Sequence, residues 1–259
     1  MAKQPRIPFV TALTVGVTTA RDPACKRGVA TNMAASLARN VATASRVCVV
    51  DADPLTLDVT TRLGVRGVVL EDFARPTTPT VGQLPRLHSP DLAALPCGGG
   101  AIGRLRYAAE RALPELRDAF DVVICDVPGG PSGPDSVIGN RLELLDWLVL
   151  AVTPEPGALG AARHFLELFD TARRRGDVGG VKLAIVCTGD ESSDELSVAE
   201  VEAGLDAAVA GRVPQLWGRA EPNLGFGPAL AIPDLDDAVY DVFMAFRLGR
   251  EHRSHLAAI

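Results

Sequence analysis

Short runs of Val, Ile, Leu and Ala alternate along the chain with longer segments whose apolar residues recur every three to four positions. Continuous apolar runs of strand length suit strands buried on both faces, and the intervening helical periods suit helices that cover them. The pattern therefore predicts an α/β fold, a mostly parallel sheet with helices on both faces in three layers. Phe9–Val17 is expected as a first strand, Gly28–Arg39 as a helix with Val29, Met33 and Leu37 on one face, and Arg46–Val50 as a strand ending at Asp51. Together they make a β-α-β unit. Further strands are expected at Asp91–Leu95, Asp121–Cys125, Trp147–Val152 and Val181–Cys187, and helices at Leu105–Phe120, Ala158–Arg175, Ser197–Ala210 and Leu235–Arg250.

One stretch breaks the alternation. Between Phe73 and Pro96 lie Pro76, Pro79, Pro85, Pro90 and Pro96, a density that favours an irregular surface excursion over a domain core. No internal repeat or low-complexity tract appears, so residues 1–259 are read as a single domain with 73–96 as an excursion.

Charge and cysteine content narrow the function classes. The 259 residues hold 26 Lys and Arg against 32 Asp and Glu, a formal net charge of −6, which argues against strong non-specific DNA binding. No apolar run approaches the roughly 20 residues of a membrane helix, and Met1-Ala2-Lys3-Gln4-Pro5 is not followed by a signal-peptide core. A cytoplasmic location is expected. Cys25, Cys48, Cys97, Cys125 and Cys187 are widely spaced and suggest neither a disulfide framework nor a zinc site.

Three strand ends concentrate the polar chemistry. The segment from Thr18 to Gly28 joins the first strand to the first helix, where an open α/β sheet places a phosphate against a helix N-terminus. Val49-Val50-Asp51-Ala52-Asp53-Pro54 sends two carboxylates off the second strand, and Val123-Ile124-Cys125-Asp126-Val127-Pro128-Gly129-Gly130 ends in an acid and a flexible turn. Acids leaving apolar strands beside a phosphate loop suit Mg²⁺ and an oriented water, because Mg²⁺ takes oxygen ligands and keeps waters of its own.

The order of these pieces resembles the ParA/MinD family of deviant Walker-A P-loop ATPases. The carriers are Lys26, the helix Thr31-Asn32-Met33-Ala34-Ala35-Ser36-Leu37-Ala38, the V-D-A-D-P run at 50–54 and the D-V-P-G-G run at 126–130. Downstream, 148–155 followed by a helix is similar to the strand and helix after that family's switch II. Residues 195–202 followed by Val213-Pro214 are similar to its CpaE/TadZ-like branch, which helps to place pilus machinery. The resemblance implies a P-loop NTPase-like fold, ATP or ADP as ligand with Mg²⁺, a homodimer across the nucleotide face, and an unidentified protein partner in cell division, segregation or secretion.

The family's loop has the form K-G-G-x-G-K-[ST]-[ST], and this chain departs from it. Alignment on the helix puts Lys26 on the phosphate-binding lysine, Arg21 on the signature lysine, and Cys25 and Gly28 on either side of the Lys26-Arg27 pair. Asp22, Pro23 and Cys25 replace glycines: Pro23 has no N–H to donate, Asp22 adds negative charge, and Cys25 resists left-handed backbone angles. Arg27 replaces the hydroxyl that would hold Mg²⁺; it cannot bind a cation but can neutralise a phosphate. Lys26, Arg27 and Arg21 are expected as a basic cluster at a helix N-terminus. The resemblance further makes Asp53 the acid that orients attacking water, Asp51 and Asp126 groups that reach Mg²⁺ through water, and Gly129 the mobile point of the switch. Intact acids beside an altered loop imply a switch kept for partner binding with weak or no ATP hydrolysis.

Other readings remain open. An active ATP-dependent enzyme of the same class, of ligase or amidotransferase type, would need a competent loop. Gly98-Gly99-Gly100-Ala101-Ile102-Gly103 matches G-x-G-x-x-G and offers a Rossmann-type dinucleotide site, with Asp126 as its acid. Asp190, after Cys187-Thr188-Gly189, is a candidate base contact, and Asp190–Glu195 also reads as a solvated acidic loop. Residues 237–250, with Val239, Val242, Phe243, Phe246, Arg247 and Arg250, read either as a membrane-targeting helix or as a docked core helix, and Asp236, Asp237 and Asp241 favour the second. Arg173-Arg174-Arg175 complements a helix C-terminus without requiring DNA. Trp217 is a partner anchor or a core plug.

Overall fold

A computed structural model describes residues 12–21, 23–39, 46–54, 65–87, 91–129, 142–189 and 195–213, together with 239, 240, 242, 243 and 246. The described strands are β1 (Leu13–Thr19), β2 (Val47–Asp51), β3 (Leu92–Leu95), β4 (Val122–Asp126), β5 (Trp147–Val152), β6 (Lys182–Thr188) and β7 (Gly211–Val213). They form one sheet in the order β3-β2-β4-β1-β5-β6-β7, and every neighbouring pair is parallel. The helices are α1 (Pro23–Arg39), α2 (Ile102–Ala119), α3 (Pro156–Arg175) and α4 (Val198–Leu205).

Strand periodicity divides the apolar residues between two cores. Cys48, Val50, Val123, Cys125, Leu148 and Leu150 face the layer of α2, α3 and α4. Their neighbours Val47, Val49, Val122, Ile124, Trp147 and Val149 face α1. The near-continuous apolar runs follow from this, since alternate residues of each strand enter different cores and neither face is left to water. The C-terminal segment belongs to the α1 side: Val239, Val242, Phe243 and Phe246 are buried there, and Phe246 stacks on Trp147 with ring centroids 4.7 Å apart. The docked-helix reading of this segment is the one the packing supports, because the residues a membrane would take up are already covered. No described helix is long and apolar enough to cross a membrane.

Several expected boundaries move. α1 begins at Pro23 rather than Gly28, as proline at a first helical position has no N–H to leave unsatisfied and a pre-set φ. α4 stops at Leu205, well short of Ala210, because Asp206 takes a left-handed conformation with φ 51°. That turn releases the chain into β7, a strand too short for a sequence pattern to reveal. Ser197 is the N-cap of α4, its hydroxyl accepting from the Glu200 N–H while the Glu200 carboxylate accepts from the Ser197 N–H. Part of the proline-rich stretch is built into the fold instead of lying on its surface. Phe73 and Leu84 are buried, β3 is buried along its length, and the 3₁₀ turn Leu70–Ala74 packs on α2.

Candidate functional site

The register between strands brings the candidate acids to one edge. Asp51 and Asp126 are partners at the carboxyl ends of β2 and β4, and Asp126 is also level with Val17 of β1. Ligands in open α/β sheets sit beyond the carboxyl ends of the strands, near the point where strand order reverses. β1 occupies that point here, with β4 on one side and β5 on the other.

Lys26 lies on the first turn of α1 and does not reach solvent. Its ammonium donates to Asp53 Oδ2 at 2.6 Å and to the Val127 carbonyl at 3.0 Å, and sits 3.1 Å from Asp126 Oδ1. The Lys26 side chain is 0% exposed and those of Asp53 and Asp126 are 3% and 0%. The Asp126 contact is an ion pair rather than an aligned hydrogen bond, and neither of its oxygens accepts one among the described residues. Desolvation pushes the Asp126 carboxyl up to about 7, with Lys26 pulling the other way and Asp51 adding to the rise. Asp51, also buried, accepts from the Asp53 N–H at 3.2 Å.

Lys26 therefore points inward from the start of α1, away from solvent. A long apolar stem and a sheet edge carrying three acids draw the amine inward, where carboxylates offset its desolvation. Arg21 is exposed, and a β-carbon added at Gly157 would lie 2.8 Å from its Nη1, so the guanidinium lies across the first turn of α3. Arg27 is carried by α1, with its side chain outside the described set, as is Asp22. Cys25 is buried with Sγ 3.1 Å from Thr188 Oγ1, and Gly28 is buried within α1.

Two features of this edge escaped the sequence reading. The turn after Asp126 is tied to β1: the Val127 N–H donates to the Val17 carbonyl at 2.9 Å and Thr18 Oγ1 to the Pro128 carbonyl at 3.0 Å. A β-carbon on Gly129 would meet the Thr19 carbonyl oxygen at 2.7 Å, so glycine here serves close backbone approach as well as any mobility. Beside it, Thr19, Arg21, Val152, Thr153, Glu155 and Ala158 help to line a cleft of about 230 Å³ between β1, β5 and α3. The sequence placed Thr18 and Thr19 at the start of the loop between the first strand and the first helix, whereas β1 runs through Thr19, and only the register shows what they face.

The other candidates fall elsewhere. In the 98–103 loop, a β-carbon at Gly98 or Gly100 would lie within 2.8 Å of the Glu71 side chain, which pairs with Arg104 at 3.3 Å. A dinucleotide phosphate would have to displace that carboxylate. Gly189, with φ +110°, closes on Glu195, which pairs with Arg212 at 2.9 Å. Asp190, Trp217, Arg247 and Arg250 lie outside the described residues. Burial pushes the Cys125 thiol up to about 12 and those of Cys97 and Cys187 to about 11, and raises Cys48 further. These are inert core thiols.

No protein-family model and no curated protein matches the chain. Solved structures do. The cell division ATPase MinD of Pyrococcus furiosus superposes with a TM-score of 0.68 at 19% identity, over 92% of this chain and 99% of that one. A ParA family ATPase from Chlorobium tepidum gives 0.67 at 18%, over 90% and 98%. Cobyrinic acid a,c-diamide synthase from Mycobacterium smegmatis gives 0.67 at 19%, over 94% and 98%. Over at least nine-tenths of its length the chain has the fold shared by the MinD and ParA-family ATPases.

Proposed function

We propose that the chain is a spatial-positioning or scaffold protein of the ParA/MinD kind, acting in cell division, segregation or secretion, with weak or no ATP hydrolysis. The observation that carries this reading is the engagement of Lys26 by Asp53 and Asp126 at the sheet edge where the fold places its ligands. The motif order and the fold support the ParA/MinD class. The altered loop and the engaged lysine support slow turnover: Pro23 donates no N–H, and residues 23–27 are wound into α1 where a phosphate would need a loop around it.

Asp51 and Asp126 are oxygen donors of the kind Mg²⁺ takes, and the Asp126 oxygens accept no hydrogen bond. A divalent cation nevertheless does not fit on Asp126 as the residues stand, because the Lys26 ammonium already lies 3.1 Å from its Oδ1 and 2.6 Å from Asp53 Oδ2. Asp53, the proposed water-orienting acid, is committed to the same ammonium. Arg21, Cys25, Lys26, Arg27 and Gly28 remain the proposed nucleotide contacts, with a homodimer formed across this face and a protein partner reading the 126–129 turn.

Phosphate release from ATP with Mg²⁺ tests the proposal, and turnover near the detection limit is expected. A rate comparable to an intact family member, abolished by Lys26→Ala, overturns it. The likeness to a diamide synthase favours one second reading, an ATP-dependent enzyme that activates a carboxylate. ATP consumption that appears only on adding a carboxylic acid and an amine donor would select that reading.

A further inference from the structure

Lysine is rare in this chain: of the 26 basic residues, only Lys3, Lys26 and Lys182 are lysines. An ammonium has three N–H donors and no acceptor. At Lys26, Asp53 Oδ2 at 2.6 Å and the Val127 carbonyl at 3.0 Å accept two of these, and Asp126 Oδ1 stands 3.1 Å away as an ion-pair partner. An incoming anion therefore finds the amine already surrounded, and must displace a carboxylate to reach it.

The three partners come from two pieces of chain, the exits of β2 and β4, each held in place. The Ala52 N–H donates to the Asp126 carbonyl at 3.0 Å, which joins the exits of β2 and β4. The Asp53 N–H donates to Asp51 Oδ1, and the turn after Asp126 is bonded to β1 through Val17 and Thr18. Lys26 is placed by the first turn of α1. Breaking the ammonium contacts without replacing them would take a counter-charge away from buried carboxylates, so the cluster holds until another charged group takes over.

We propose that Asp53 and Asp126 form an internal latch whose carboxylates stand where a phosphate would on Lys26, so that a nucleoside di- or triphosphate binds there only as the Asp53 contact opens. The inference rests on the reading of Lys26 as the phosphate site. It adds a consequence: nucleotide binding and displacement of the 51–54 and 126–129 segments are one event. The latched fraction lowers apparent affinity by the share of molecules in which the site is open.

The test uses the full chain as wild type, Asp53→Asn and Asp126→Asn. Calorimetry measures ADP and inorganic pyrophosphate without Mg²⁺, and reductive methylation read by mass spectrometry follows the reactivity of Lys26, with Lys182 as internal reference. Both ligands should bind Asp53→Asn about tenfold or more tightly than wild type. Lys26 should become more reactive in that variant and be protected by ADP. Asp126→Asn should shift affinity in the same direction, and its ratio decides the matter if Asp53→Asn does not fold. Equal or weaker binding by the variants overturns the latch, as does the absence of binding to either variant at millimolar ligand. Rapid ATP turnover by wild type would overturn the positioning role instead, leaving the affinity ratio to decide the latch.

Discussion

Lys26 Nζ lies 2.6 Å from Asp53 Oδ2, and the two side chains are 0% and 3% exposed. The residues are 27 apart in sequence, on α1 and just beyond β2, and meet because β1 delivers α1 to the same sheet edge at which β2 ends. A buried pair of this kind contributes little net stability when whole, yet its rupture is costly because one charge remains in a place poor in water.

Lys26→Met is expected to destabilise the fold by about 3–5 kcal/mol, since Asp53 and Asp126 lose their counter-charge. Denaturant unfolding at neutral pH measures it. The double variant Lys26→Met/Asp53→Asn should recover part of the loss, and no recovery would show that packing, rather than charge, explains the single variant.

The raised carboxyl of Asp126 carries a pH signature. Its folded value, about 7, lies above the ordinary aspartate value of 3.8, so between these limits the folded state binds more protons than the unfolded one. Stability from this group is present at low pH and is lost as pH rises from about 4 to about 7. Asn mimics the protonated carboxyl. Asp126→Asn should therefore gain stability relative to wild type on going from pH 5 to pH 8, by an amount on the order of a few kcal/mol. Parallel stability curves for the two proteins across that range would contradict the assignment.

Gly129 and Gly160 make a matched pair of glycine substitutions. At Gly129 a β-carbon meets the Thr19 carbonyl oxygen and Cγ2, each at 2.7 Å, whereas at Gly160, on the exposed side of α3, nothing lies within 4 Å. Gly129→Ala is expected to cost about 1–3 kcal/mol through overpacking. Gly160→Ala should stabilise by about 0.4–1 kcal/mol, because alanine loses less backbone freedom on entering a helix. Melting temperatures of the two variants should move in opposite directions.

Phe246→Ala removes the ring stacked on Trp147 and is expected to cost about 3–5 kcal/mol. Limited proteolysis should then cut the C-terminal segment faster than in wild type. If this segment were a membrane anchor, wild type would co-sediment with anionic vesicles and Phe246→Ala would weaken that association. The burial of Val239, Val242, Phe243 and Phe246 predicts no vesicle binding through these residues in wild type.

The layered α/β class was legible in sequence because strands buried on both faces leave long apolar runs and their covering helices leave a helical period. The acids at Asp51, Asp53 and Asp126 were legible for a related reason: a charge ending such a run has few structural uses. Local pattern did not reveal β7, whose three residues are too few for a period, or the start of α1. Residues 18–28 read as a phosphate loop with a basic cluster, since sequence shows the charge of Lys26 and not the direction of its side chain.

What the sequence determined by itself was therefore the class of fold and the set of ionisable groups at the strand ends. Which of those groups face one another was decided only in three dimensions. Strand order and register are long-range choices made by packing two cores on one sheet, and they set Asp51 level with Asp126 and deliver Lys26 between Asp53 and Asp126. Once the amine is buried there, it needs counter-charges, and the nearest ones are the protein's own carboxylates.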